Sequence, residues 1–459
     1  MSKDGSIVLT DHESVRKLLK KNASSFDACE ILSVNDYRSK TVYHPSRKNP
    51  VTQMQRTTSV LLTGQVNKNL FRQSWVCSGW EPISKLAGKV GKVDTKHRPE
   101  PSSFELNGPQ DLPLVKDRSS FQHFERKSQR LFREVYEKVA DHFSDCTVVL
   151  NFFLQFDRVV LENTVGNIGS YEHPYTRLEY AVSSVKAEKT VSGMMMNFSD
   201  ANEVIANIRA KLGYPFFRLE TKLSYVREGQ TPVILSPWVV ETLAKMLFEQ
   251  TKVTAAWPTS YESVIPKDIV LRDDPTHGLG QNSVPFDHEG TKTRAKVLMR
   301  NGKNVEKTSD LQTASTTGVT SSGNGFRRGL FVSHIADLTP VIQPNYLQVE
   351  PGKTSVERIA KDCSEFIYID TLAFPVDRFH QLVKGNSLVT IEGNYVRQGK
   401  SVSRVISKNY EDRPLISAHP KSYGSLLDPT AQVLKQGDYT YSGWYPYVFL
   451  PTMTWSAND

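Results

Sequence analysis

The stretch Pro232-Val233-Ile234-Leu235-Ser236-Pro237-Trp238-Val239-Val240, at the middle of the chain, decides how the rest is read. Val233-Ile234-Leu235 is a short apolar run of the kind that forms a buried strand. Ser236-Pro237 is a helix start: the serine oxygen accepts a first-turn N–H, and proline at the first helical position gives up a donor that would have no partner there. Val239, Val240, Leu243, Leu247 and Phe248 then fall at helical spacing, which predicts a helix over Ser236–Gln250. The pattern changes around Thr231, which places a boundary just before this helix, and 459 residues exceed what one ordinary core serves. Two domains are expected, 1–230 and 231–459.

Upstream, Asp11 is placed to cap a helix bearing Val15, Leu18 and Leu19. Cys29–Val34 reads as a strand, and Thr58–Val66 with Leu70–Cys77 as a hairpin. Lys89–Arg118 holds Pro99, Pro101, Pro109 and Pro113 and reads as a loop. Phe121, Phe124, Leu131, Val135 and Val139 share one face of a long amphipathic helix. Thr147–Val191 is a run of antiparallel strands, followed by a helix after Ser199 that ends at Gly213. Beyond residue 250 short strands and Gly-rich loops dominate, with one capped helix at Thr354-Ser355-Val356-Glu357. The expected class is α+β: an N-terminal two-layer α/β domain with an antiparallel sheet, then a mainly antiparallel, barrel-like β domain.

Composition narrows the setting. Hydrophobic residues make up 38% and charged residues 23%, as in ordinary folded proteins. No apolar run approaches the ~20 residues of a membrane helix and the N-terminus has no signal-peptide core, so a cytoplasmic location is expected. Cys29, Cys77, Cys146 and Cys363 are too widely spaced for a zinc ribbon or a disulfide framework and read as reduced thiols. The net charge is +8, and residues 1–105 carry 17 Lys or Arg against 10 Asp or Glu. The cations are scattered between apolar strands, which favours a solvated basic face over a nucleic-acid footprint.

Motifs for chemistry are few. His-Glu occurs at His12-Glu13 and His288-Glu289, but Arg16 and Lys292 stand four residues after each histidine, so neither completes the helical HExxH pair that binds zinc. Ser322-Gly323-Asn324-Gly325-Phe326-Arg327-Arg328-Gly329 matches no phosphate-loop pattern, and glycines that admit a close neighbouring backbone account for it better. In the aromatic-rich end, Tyr439/Tyr441 and Tyr445/Tyr447/Phe449 are spaced by two and fit one face of a half-buried strand, or, with Trp444, a subunit interface.

A resemblance extends this reading. Gly278-Leu279-Gly280, Pro285-Phe286-Asp287-His288-Glu289-Gly290 and Thr293-Arg294 resemble, in order, a signature of the TldD/TldE (PmbA, "modulator of DNA gyrase") peptidase family. Val297-Leu298-Met299 with Asn301-Gly302, Ser322–Gly325, Pro344–Gly352, Glu162–Gly166 and Pro232–Pro237 are similar to further family segments. The TldD-like branch carries HExxxH on the central helix, and the positions that correspond here are Lys245, Met246 and Gln250. A protonated amine has no lone pair for a metal, and a thioether is no general base. The resemblance therefore implies the TldE/PmbA role: a metal-free, non-catalytic subunit, inactive alone, paired with a TldD-like chain that holds the zinc and acts on peptides.

It also implies no catalytic residue, metal or cofactor in this chain. The cleft or interface candidates are Gly278, Gly280, Phe286, Asp287, Glu289, Arg294, Asn324, Arg327, Arg328, Trp444 and Tyr445. A pair that tailors a peptide or small natural product is the alternative. A DNA-associated role ranks last, and a membrane partner is not expected.

Overall fold

A computed structural model of the protein describes residues 12–46, 49–67, 69–78, 100–101, 106–115, 120–184, 189–214, 223–225, 229–255, 269–277, 283–327, 338–373, 388–406, 416–417, 431–440 and 442–455. Asp11, Gly278, Gly280, Arg328 and most of the Pro-rich region at 89–118 lie outside them.

The first half contributes α1 (His12–Ala23), β1 (Ala28–Tyr43), β2 (Val51–Val66), β3 (Asn69–Ser78), β4 (Glu100–Pro101), α2 (Phe121–His142), β5 (Cys146–Asn163), β6 (Ile168–Ser184), β7 (Lys189–Met196) and α3 (Ala201–Gly213). Its seven strands pair in the order β4-β3-β2-β1-β5-β6-β7, antiparallel at every joint. Strand alternation sends β1 residues Cys29, Ile31 and Tyr37 to one face and Leu32 and Val34 to the other. On the first face α1 packs Val15, Leu18 and Leu19, and α2 packs Phe121, Phe132, Val135 and Val139. Phe132, stacked on Phe152 with centroids 4.6 Å apart, is fully buried, whereas Leu131 of the expected stripe is only half-buried. Asp200 caps α3 by accepting from the N–H groups of Asn202 and Glu203.

The second half adds β8 (Leu223–Tyr225), β9 (Gly229–Leu235), α4 (Pro237–Thr251), β10 (Val270–Asp273), β11 (Lys296–Arg300), β12 (Lys303–Asn304), α5 (Leu311–Thr317), β13 (Gly325–Phe326), β14 (Val341–Ile342), β15 (Leu347–Val349), α6 (Val356–Asp362), β16 (Glu365–Ala373), β17 (Leu388–Arg397), β18 (Lys400–Ile406), β19 (Ile416–Ser417), β20 (Gln432–Tyr439) and β21 (Gly443–Trp455). Ser236 caps α4 with its side-chain oxygen on the Val239 N–H, and Pro237 occupies the first turn. The main sheet runs β12-β11-β10-β15-β21-β9-β16-β17-β18-β8. It is mostly antiparallel, with parallel joints at β15–β21, β9–β16 and β8–β18. The barrel-like expectation needs correction: among the described strands the path is open, because its end strands β12 and β8 do not pair with each other.

Both faces of this sheet are covered. Val233 and Leu235 face α4, whereas Ile234 faces the opposite layer with Tyr214, Val356 and Ile359. The alternation breaks at Pro446: Tyr445 joins the α4 side, and Tyr447 and Phe449 join the other. The register of β20 against β21 slips nearby, between Val433 and Gly437. One buried ion pair ties the halves together: Lys211 of α3 reaches Asp438 of β20 and also donates to the Ser192 carbonyl at 3.1 Å. No helix among the described residues is long and apolar enough to cross a membrane.

Where β15 meets β21 the backbones touch. A Cβ on Gly443 would sit 1.6 Å from the Leu347 carbonyl oxygen, and backbone cannot yield as a flexible side chain does. Gly443→Ala is expected to destabilise the protein by about 1–3 kcal/mol or more in urea unfolding. Gly213→Ala, with nothing within 4 Å, should be neutral or slightly stabilising. Equal effects of the two substitutions would contradict the packing described here.

Candidate functional site

The helices cover one face of the first sheet, and two different things happen on the other. Over Leu32, Val34, Leu61, Val159, Leu161 and Tyr171 the face is apolar, and the segment Ser283–Thr293 closes it with Val284 and Phe286. Phe286 is fully buried, edge-on to Tyr171 at 4.8 Å. Asp287 shapes the loop: one oxygen accepts the N–H groups of Glu289 (3.0 Å) and Thr291 (2.9 Å), the other the Gly325 N–H at 2.8 Å. Gly290 has φ +73°, and a Cβ there would meet the Asn167 amide at 2.6 Å, so glycine is required. Asn107 donates to the Glu289 carbonyl at 2.8 Å and Asn167 to the Gly290 carbonyl at 3.1 Å, which stitches loop to sheet.

Charges are buried with it. Glu289 accepts the Leu311 N–H at 2.7 Å, and burial raises its carboxyl well above the ordinary range. Burial likewise pushes Asp287 up to about 6, against the lowering effect of its backbone donors. Glu30, below the loop on β1, rises to about 7 through burial, opposed by the Arg327 guanidinium. Burial in turn lowers Arg327 to about 10. The Arg327 N–H donates to His288 Nδ1 at 2.9 Å, so Nε2 carries the proton of the neutral ring. Behind the loop, Asp273 accepts from Asn324, from Asn345 and from the Tyr346 N–H at 2.7–2.9 Å, with Lys296 Nζ at 3.3 Å.

Phe286, Asp287, Glu289, Asn324 and Arg327 are thus brought together, all buried or nearly so, in a clasp joining the halves. Arg294 is not part of it: its guanidinium is exposed and pairs with Glu306 at 2.6 Å. Gly278, Gly280 and Arg328 lie outside the described residues.

The central helix places Lys245, Met246 and Gln250 in three different environments. Lys245 is half exposed and pairs with Glu241 at 2.8 Å. Glu241 also accepts from the Ser442 hydroxyl at 2.6 Å, which in turn contacts the Tyr445 hydroxyl at 2.8 Å. Met246 is 1% exposed in the core beneath the sheet, and Gln250 is buried. Zinc takes thiolate, imidazole or carboxylate donors, so these three side chains do not fit it. Cys363 packs on the opposite face of the sheet from α4. Tyr445 is fully buried in the chain's own core, and Trp444 beside it is half-buried.

Farther along the same face of the first sheet, cover by described residues stops and polar side chains begin. Asp36 of β1 stands directly opposite Asp157 of β5, which is opposite His173 of β6. The next row holds Arg38, Gln155 and Tyr175, and the one after it Lys40, Phe153 and Arg177. Tyr175 donates to Gln155 at 2.6 Å, Gln155 to Asp157 at 2.9 Å, and Arg38 to Asp36 at 3.0 Å. Burial and then the Asp157 charge push the Asp36 carboxyl up to about 7, against Arg38. Above the second and third of these rows lies a trough of about 490 Å³. The sequence reading missed this site, although its signal is there: charged residues at alternate positions 36, 38 and 40 of one strand must share a face.

Residues 228–410 match the family described as the PmbA/TldA metallopeptidase C-terminal domain. Comparison with curated proteins gives no match. Among solved structures, TldE from Thermococcus kodakarensis is similar at 15% identity and TM-score 0.68, over 97% of this chain and 100% of that one. A Thermotoga maritima protein described as a candidate modulator of a DNA gyrase matches at 15% identity and TM-score 0.66, over 97% and 99% of the two chains. A similarly described protein from Bacteroides thetaiotaomicron matches at 12% identity and TM-score 0.61, over 97% and 98%. At these identities the likeness establishes a shared fold.

Two outcomes are expected from the site. Phe286→Ala, which empties the clasp, should cost about 3–5 kcal/mol in equilibrium unfolding. The second concerns Asp36, whose folded carboxyl titrates near 7 against an ordinary 3.8. Below about pH 4 both states hold the proton; as pH rises towards 7 the unfolded carboxyl loses it first, so this group's contribution to stability falls across that window. Asp36→Asn should melt higher than the parent protein at pH 8, by ~3 °C, with the gap closing towards pH 5. Calorimetry at four pH values checks this, and a gap that does not change with pH would refute it.

Proposed function

We propose that this chain, whose residues 228–410 match the PmbA/TldA metallopeptidase C-terminal domain and whose fold is that of TldE, is the metal-free, non-catalytic subunit of a heterodimeric TldD/TldE-type zinc metallopeptidase that processes or degrades peptides. The central helix is the observation that carries this reading. At the positions that correspond to the zinc motif it bears an amine already paired with Glu241, a thioether inside the core and a buried amide. No rotamer change supplies a metal site from Met246, because the core closes around it, and the buried carboxylate of that helix, Glu241, is already engaged by Lys245 and the Ser442 hydroxyl. Zinc and the activated water belong, on this reading, to a TldD-like partner. This chain contributes a fold of the same kind and a wall of the peptide-binding space. The stable pairing this requires commonly buries ~2,000 Å² or more.

Purified alone, the protein is expected to carry no stoichiometric zinc and to cleave no peptide. Co-expressed with a TldD-like chain, it should co-elute as a complex whose peptide hydrolysis is abolished by chelator. Within that complex His288→Ala should leave the zinc content unchanged, since His288 Nδ1 is already committed to the Arg327 N–H. One tightly bound zinc per isolated chain, with chelator-sensitive hydrolysis, would overturn the proposal.

A further inference from the structure

The open part of the first sheet's bare face has its own chemistry. Its trough of about 490 Å³ is lined by Arg38, Lys40, Phe153, Gln155, Tyr175 and Arg177 among others. A second hollow of about 320 Å³ continues it past Lys40 and Gln53 to His44. Among the described residues no Asp or Glu side chain lines either hollow. Asp36 and Glu179 hold Arg38 (3.0 Å) and Arg177 (3.1 Å) from outside the lining.

The cations are also ordered. Arg38 and Lys40 lie two residues apart on one strand and so project from the same face about 7 Å apart. From Arg38 to His44 the floor runs about 20 Å, the length of roughly six extended residues. In the row of Lys40 itself, the Arg177 guanidinium lies 4.0 Å from the centroid of Phe153, and Lys40 Nζ lies 5.3 Å from the same ring. These contacts fix the cations in place before any ligand arrives. They also occupy the ring that a nucleic-acid base would need for stacking, and the Tyr175 hydroxyl is tied to Gln155.

We propose that this trough binds an extended peptide segment carrying carboxylate side chains at alternate residues, whose ~7 Å repeat matches the spacing of Arg38 and Lys40. Arg177 on its phenylalanine seat supplies a third contact, in the same cross-strand row as Lys40 and two strands away. The proposal deepens the subunit reading by naming a substrate class, and it is tested on the isolated full-length chain so that the two can fail separately. Failure to pair with a TldD-like chain bears on the subunit role alone.

The probes are a fluorescein-labelled eight-residue peptide with Glu at every second position, a twin with Gln in place of Glu, and a labelled single-stranded eight-nucleotide DNA. By fluorescence anisotropy the Glu peptide should bind about tenfold or more tightly than its twin, with affinity falling as salt is added. Lys40→Glu and, separately, Arg177→Gln should each weaken it about tenfold at unchanged melting temperature. Lys40 is a half-buried strand position, so that variant carries the test if Arg177→Gln fails to fold. Equal binding of the two peptides, tighter binding of the DNA with displacement of the Glu peptide, or unaltered binding by Lys40→Glu would each overturn the proposal.

Discussion

A sheet of seven strands has two faces to keep from water, and among the described residues the first half of this chain supplies helices for only one of them. The apolar part of the remaining face is closed by Phe286, delivered from the other half on a loop that Asp287 holds in shape. Everything near that junction follows from the need to seat this loop. Gly290 takes a left-handed conformation to pass Asn167, and Asn107 and Asn167 cap its carbonyls. The carboxyls of Glu30, Asp287 and Glu289 are carried out of water, which pushes them all upward. Where the clasp ends, the sheet face changes from Leu and Val to Asp, Arg, Lys and Gln, as it must if it is to stay open to solvent.

Much of this was legible in the sequence because the relevant signals are local. Ser236-Pro237 announces α4 through capping chemistry, and Asn301-Gly302, with φ +54° and +74°, announces the tight hairpin between β11 and β12. The strands of 147–191 show their periodicity directly. Leu131 and Phe132 were harder to separate, since both are apolar and adjacent, and only the Phe152 ring opposite decides which one is buried. The extent of the second sheet could not be read either. Its parallel joints β9–β16 and β15–β21 bring together segments more than 90 residues apart, and nothing in short apolar runs encodes such a pairing.

The candidate site divides in the same way. The motif around Phe286 and Asp287 stood out as a string of residues, but its role as a clasp depends on Leu32, Val159 and Tyr171, which lie far away in sequence. Tyr445 reads from sequence as half-buried strand or interface because tyrosine suits both settings; only the hydroxyl chain Tyr445–Ser442–Glu241 shows how its polar end is satisfied inside. The trough was invisible as a motif. Arg38 and Lys40 belong to one strand, Phe153 to another and Arg177 to a third, and sheet register alone makes them neighbours.

The Lys211–Asp438 pair has a bearing on how such chains can change over evolutionary time. Its two members sit 227 positions apart, one in each half, and both are almost wholly buried. A buried charge that loses its mate costs about 3–5 kcal/mol, far more than the pair itself contributes over an apolar replacement. Recombination that takes the first half from one relative and the second from another therefore strands a lysine or an aspartate in the interior unless both parents carry the same pair. The ion pair acts as a compatibility lock between the halves, so that they are inherited together, as a single unit of exchange.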